Sequence, residues 1–134
     1  PPSVFDSLRY GFSQAVTVRG GTHVFVSGQV GVDLDLRPVS DDLAGQTEAA
    51  LDNLARVLEA AGGGLGDVVA LRIYVVASAA EDLSPVGDGL RARFGPDDPP
   101  ASTWLVVTGP TRLCSHAAGV GKRLVGQPPK LPRP

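Results

Sequence analysis

Val68-Val69-Ala70-Leu71-Arg72-Ile73-Tyr74-Val75-Val76 decides the architecture. This nearly unbroken apolar, β-branched run is too short for a helix of its own and predicts an inner strand. Side chains two apart share a face, so Arg72 and Tyr74 stand with Val68, Ala70 and Val76, and that face is not pure core. Just upstream, Leu43, Thr47, Ala50, Leu51, Leu54, Leu58 and Ala61 recur at helical spacing and leave Glu48, Asp52, Arg56 and Glu59 outside. That pattern predicts an amphipathic helix lying on something apolar. Ser40, Asp41 and Asp42 stand where such a helix needs an N-cap and negative charge. Gly62-Gly63-Gly64 supplies the stop.

Working outward, Leu83, Val86, Leu90 and Phe94 mark a second, weaker helix over 81–94. Gly87 and Gly89 each weaken it by about 1 kcal/mol relative to alanine. After the stiff loop over 95–100, closing strands are expected over 103–107 and 113–120. Toward the N-terminus, Ala15–Arg19 and Thr22–Val26 flank Gly20-Gly21, which predicts a β-hairpin. Hairpin, helix, strand, helix and two strands make an α+β domain: a mixed sheet with both helices on one face. The other face, with Arg72 and Tyr74, cannot all be left in water, so an oligomer is expected. Residues 1–126 form the single domain, and 127–134 a Pro-rich extended tail. The PxxP pattern at Pro129 to Pro132 fits a tail that packs on a neighbour or is mobile far better than a recognition motif.

A chain of 134 residues and 13.8 kDa is one domain, long enough to bury most of an apolar core. Its net charge of −2 gives no electrostatic reason to bind nucleic acid, which needs clustered Lys and Arg. The single cysteine, Cys114, excludes an internal disulfide and fits a reducing compartment. No apolar run approaches the roughly 18–20 residues that span a bilayer. No charged-then-apolar leader opens the chain, although a start at Pro1 is compatible with a preceding processed stretch. Ala, Gly, Val, Arg and Pro dominate over Ile, Asn and Lys, as in GC-rich bacterial genomes. A cytoplasmic bacterial protein is expected.

The ordered set of Gly11-Phe12-Ser13-Gln14-Ala15-Val16, Val24-Phe25-Val26-Ser27-Gly28-Gln29-Val30-Gly31, Gln46-Thr47, Leu51-Asp52-Asn53-Leu54, Asp67-Val68-Val69 and Pro100-Ala101-Ser102-Thr103 resembles the Rid (reactive intermediate deaminase, YjgF-type) family from about Tyr10 to Lys122. The resemblance implies a chorismate-mutase-like fold and a homotrimer with small-molecule clefts between subunits. It also implies no cofactor. In catalytic members, Pro-Ala-Arg carries an arginine that holds a substrate carboxylate, and a glutamate on the last strand positions the attacking water. A planar fork and a positioned base make coherent chemistry. Here the arginine position is Ser102, and Cys114 or His116 stands in the glutamate's place. Phe12 replaces a frequent tyrosine, Gly87 an asparagine and Trp104 a cysteine, while Ser27 and Gly28 match.

The candidate catalytic residues are therefore His116, Cys114 and Ser102, with Phe12, Ser27, Gly28, Thr103 and Trp104 as substrate contacts. Each also has a plainer reading: Ser102 as a turn residue, Cys114 as a small buried hydrophobe, His116 as a structural histidine, Trp104 as interface filling. Cys114, His116 and His23 lack a recognisable zinc spacing and a fourth ligand, so no metal is expected. Gly28-Gln29-Val30-Gly31 is not a phosphate loop, since no lysine or helix start follows. Arg72 and Arg112 are assigned solvated or interface roles. Without a cation at 102, burying an anion is costly, so a neutral ligand is expected. Two classes fit: a deaminase-like hydrolase with an arginine-independent site acting on an imine, enamine or carbonyl metabolite, and a trimer that binds or assembles without turnover.

Overall fold

The structure, a computed structural model, describes residues 3–109 and the strand at 115–116. Cys114 and the Pro-rich tail over 127–134 lie outside the described residues. In chain order the elements are β1 (Gln29–Val30), α1 (Leu43–Ala60), β2 (Ala70–Val76), α2 (Ser84–Phe94), β3 (Ala101–Val107) and β4 (Ser115–His116), with single 3-10 turns at Leu8–Tyr10, Leu65–Asp67 and Ala77–Ala79.

Asp42 caps α1 by accepting the Gly45 N–H at 2.7 Å, as its place before the helical pattern requires. Gly62, at φ +80°, lies just past the helix end. The α1 stripe of Ala50, Leu51, Leu54 and Leu58 is buried against Leu71, Ile73 and Val75 of β2 and Val86 and Leu90 of α2, forming one core. Pro85 fits only a first turn, because it has no N–H to donate, so α2 begins at Ser84 rather than near 81. Arg93 fastens the far end of α2 to α1. Its Nη2 is 2.6 Å from Glu48 Oε2, and its Nη1 is 2.7 Å from Asp52 Oδ1.

Strands β2 and β3 pair in parallel from Ala70↔Ala101 to Val76↔Val107, connected through α2. The short strands β1 and β4 pair antiparallel, Gln29 opposite His116 and Val30 opposite Ser115. Strand β4 also lies beside β2, so the two hydrogen-bonded pairs are neighbours, and both helices pack on β2. The expected α+β fold is thus found.

The N-terminal hairpin is not. Gly20 and Gly21 do take positive φ (68° and 87°), as a tight turn demands. Yet no strand ladder joins Ala15–Arg19 to Thr22–Val26. Val16 and Phe25 stay exposed in this single chain, so little packing draws the two arms together, and an isolated two-stranded ribbon is marginal in water.

Candidate functional site

Parallel register places Ser102 beside Leu71 and Trp104 beside Ile73, on the helix side of the sheet, with Thr103 and Leu105 on the opposite side. The Gly11-Phe12-Ser13 segment is clamped to the start of β3. Ser13 makes a parallel bridge to Ala101, its N–H donates to the Pro100 carbonyl at 3.0 Å, and its hydroxyl donates to the Pro99 carbonyl. Gly11, at φ +82°, turns the chain out of the 3-10 turn and into this clamp. Phe12 is thereby carried to the same end of β3 as Ser102.

These segments and α2 enclose an open cleft of about 750 Å³, within the usual range for small-molecule sites. Its aromatic wall is Phe5, Tyr10, Phe12 and Trp104. Phe5 meets Tyr10 and Phe12 edge to face, with ring centres 6.0 and 6.1 Å apart. Trp104 Nε1 donates to Ser102 Oγ at 2.9 Å, so the polar edge of the indole is satisfied within β3.

Two arginines, Arg9 and Arg91, also line the cleft. The Arg9 guanidinium lies 5.2 Å from the centre of the Tyr10 ring, a cation–π arrangement. Arg91 is laid across two glycines. A Cβ on Gly11 would meet its Cγ at 3.2 Å, and one on Gly87 would meet its Nη1 at 3.3 Å and Trp104 Cη2 at 3.8 Å. Its Nη1 donates to the Arg9 carbonyl at 3.0 Å, and its Nη2 pairs with Asp88. Asp82 is the acidic member of the lining. The Ser84 backbone N–H, and then the Ser84 hydroxyl, hold its carboxyl below the ordinary value, so it is an anion at neutral pH.

Of the residues singled out from the sequence, Phe12, Ser102 and Trp104 meet in this cleft. Thr103 is exposed on the other side of β3. Ser27 and Gly28 are exposed just before β1, and the backbone of His116 lies opposite Gln29, so these three form a second group away from the cleft in the single chain. Sequence reasoning weighed Arg72 and Arg112 as cations and passed over Arg9 and Arg91. One signal was available, since Gly87 and Arg91 are four apart on one helix face. Among the described residues, no group of three His, Cys, Asp or Glu could hold a metal, and no helix is long and apolar enough to cross a membrane.

Fold and cleft define an α+β domain with a pocket where a strand edge meets a helix. The Endoribonuclease L-PSP family model matches residues 7–110, and the chain belongs to that family. It is 36% identical over 102 residues to a 2-iminobutanoate/2-iminopropanoate deaminase of Salmonella typhimurium, covering 76% of this chain and 72% of that protein. A RutC family protein of Pyrococcus abyssi is 32% identical over 89 residues, 66% of this chain and 67% of that one. Among solved structures, a Rid family protein of unknown function, YyfB from Yersinia pestis, superposes with a TM-score of 0.80 at 30% identity, covering 91% of this chain and 94% of that one.

Proposed function

We propose that this chain is a divergent member of its family, a cytoplasmic homotrimer whose cleft binds or acts on a small imine, enamine or carbonyl-type metabolite, and not an ordinary 2-iminoacid deaminase. One observation carries the reading: where the Rid resemblance expects an arginine there is Ser102, and its hydroxyl is engaged by Trp104. In this account residues 1–126 are the working unit and 127–134 an appended tail. Phe12 and Trp104 wall the ligand, Ser102 offers a hydrogen bond, and Thr103 borders the site from the far side of β3. Ser27, Gly28, His116 and Cys114 come from the neighbouring subunit, with His116 or Cys114 activating water if turnover occurs. A binding trimer without turnover is the second reading. It is favoured by the indole that already occupies Ser102.

The test is a coupled assay that traps 2-iminopropanoate before it hydrolyses spontaneously, run beside the Salmonella relative. Loss of a charge-paired contact costs about 2–5 kcal/mol, so a rate about 30-fold or more below the relative is expected. Ser102→Arg should recover part of it. Equal rates from the unaltered chain would overturn the proposal.

A further inference from the structure

The cleft combines two features that no single local motif announced. One is an aromatic lining: Phe5 meets Tyr10 and Phe12 edge to face, and Trp104 lines the same cleft. The indole spends its N–H on Ser102 and turns carbon edge Cη2 toward Gly87, so that wall accepts a ring rather than a hydrogen-bonding group. The other is a pair of cations. The Arg9 guanidinium makes no ion pair among the described residues and lies over the Tyr10 ring. Arg91 is held in place by the Arg9 carbonyl and by Asp88, and rests on Gly11 and Gly87, where an added Cβ would press on it. A guanidinium fixed before the ligand arrives loses little freedom on binding, and its planar fork suits a carboxylate. Asp88 pairs with Arg91 and Asp82 lines the same cleft, so Arg9 is the lining cation that has no ion pair among the described residues.

We infer that the cleft selects an aryl carboxylate, its ring stacked among Phe5, Tyr10, Phe12 and Trp104 and its carboxylate held by Arg9 and Arg91. This rests on the small-molecule cleft proposed above and names the ligand class. It also replaces the neutral ligand expected from Ser102: the cation is supplied from α2 and the N-terminal turn rather than from β3. Short aliphatic acids leave the aromatic lining unfilled and bind poorly.

Trp104 is the only tryptophan, so its fluorescence reports the cleft alone. The full chain is titrated with phenylacetate, with its neutral analogue phenylacetamide, and with acetate. Phenylacetate should give a saturable change, phenylacetamide one at least tenfold weaker, and acetate none. Arg91→Gln should weaken phenylacetate at least fivefold and phenylacetamide, whose carbonyl loses only a neutral-acceptor hydrogen bond, by no more than about twofold. Arg9→Gln, at an exposed side chain with no ion pair to lose, should do the same and covers the case in which the Arg91 variant fails to fold. Phenylacetamide binding as tightly as phenylacetate, or acetate matching it, would overturn the aryl-carboxylate inference and leave the small-molecule cleft standing. No saturable change with any of the three would overturn both.

Discussion

Leu71, Ile73 and Val75 face the helices at 4%, 2% and 1% exposure, whereas the opposite side of the same strand pair carries exposed Arg72, half-buried Tyr74 and Leu105 at 49%. The helix side is completed by the chain's own residues, which interdigitate across α1, α2 and β2. On the open side Leu105 is not covered by the chain's own residues, and exposed apolar surface on a sheet face is where a partner would pack. The contrast separates the side that local folding finishes from the side that the proposed assembly would finish. The cleft lies at the border, where β3 is covered by α2 on one side only.

The sharpest way to break the contrast is to make matched changes on the two sides. Ile73→Ala should cost about 2–5 kcal/mol in urea unfolding at any protein concentration, because a packed interior closes poorly around a cavity. Leu105→Glu should leave the helical circular dichroism intact and appear only as lost assembly. If both variants unfold the chain alike, the two sides are not distinct.

A second change asks how tightly the helix side is packed. Alanine is the better helix former by about 1 kcal/mol. At Gly89, however, a Cβ would lie 2.7 Å from Cγ2 of the fully buried Thr47. Gly89→Ala is therefore expected to destabilise by about 1–3 kcal/mol in the same unfolding measurement. A gain in stability would show slack between α1 and α2.

The smallest effect is electrostatic and lies at the solvent end of α1. The Gly45 N–H, and then the Ser40 hydroxyl, hold the Asp42 carboxyl below its ordinary value. A folded-state value lowered in this way gives stability that is present above about pH 4 and fades as pH falls through the lowered value. The melting-temperature difference between the unaltered chain and Asp42→Ala should therefore narrow in acid. A difference that stays constant down to pH 2 would remove the capping role.

Much of the helix side was legible in the sequence. The 43–61 stripe, the Asp42 cap, the β2 run and the polar residues on its other face each follow from spacing, and the packing preserves them. The hairpin was not legible, because two glycines specify a turn but not the neighbours that hold its arms together. Gly89 looked like a weakness in α2, although it is the residue that lets α1 approach. At the site, Phe12, Ser102 and Trp104 could be found because they sit in one continuous sequence frame. Arg9 and Arg91 reach the cleft from segments about 80 residues apart, and only the fold brings them together.

Whether the open face is closed by other copies of the chain can be measured by light scattering coupled to size exclusion at micromolar concentration. A homotrimer gives three times the 13.8 kDa chain mass, and Leu105→Glu returns it to a single chain. A stable 13.8 kDa species from the unaltered chain would contradict the assembly, and with it the placing of Ser27, Gly28 and His116 in a neighbour's cleft.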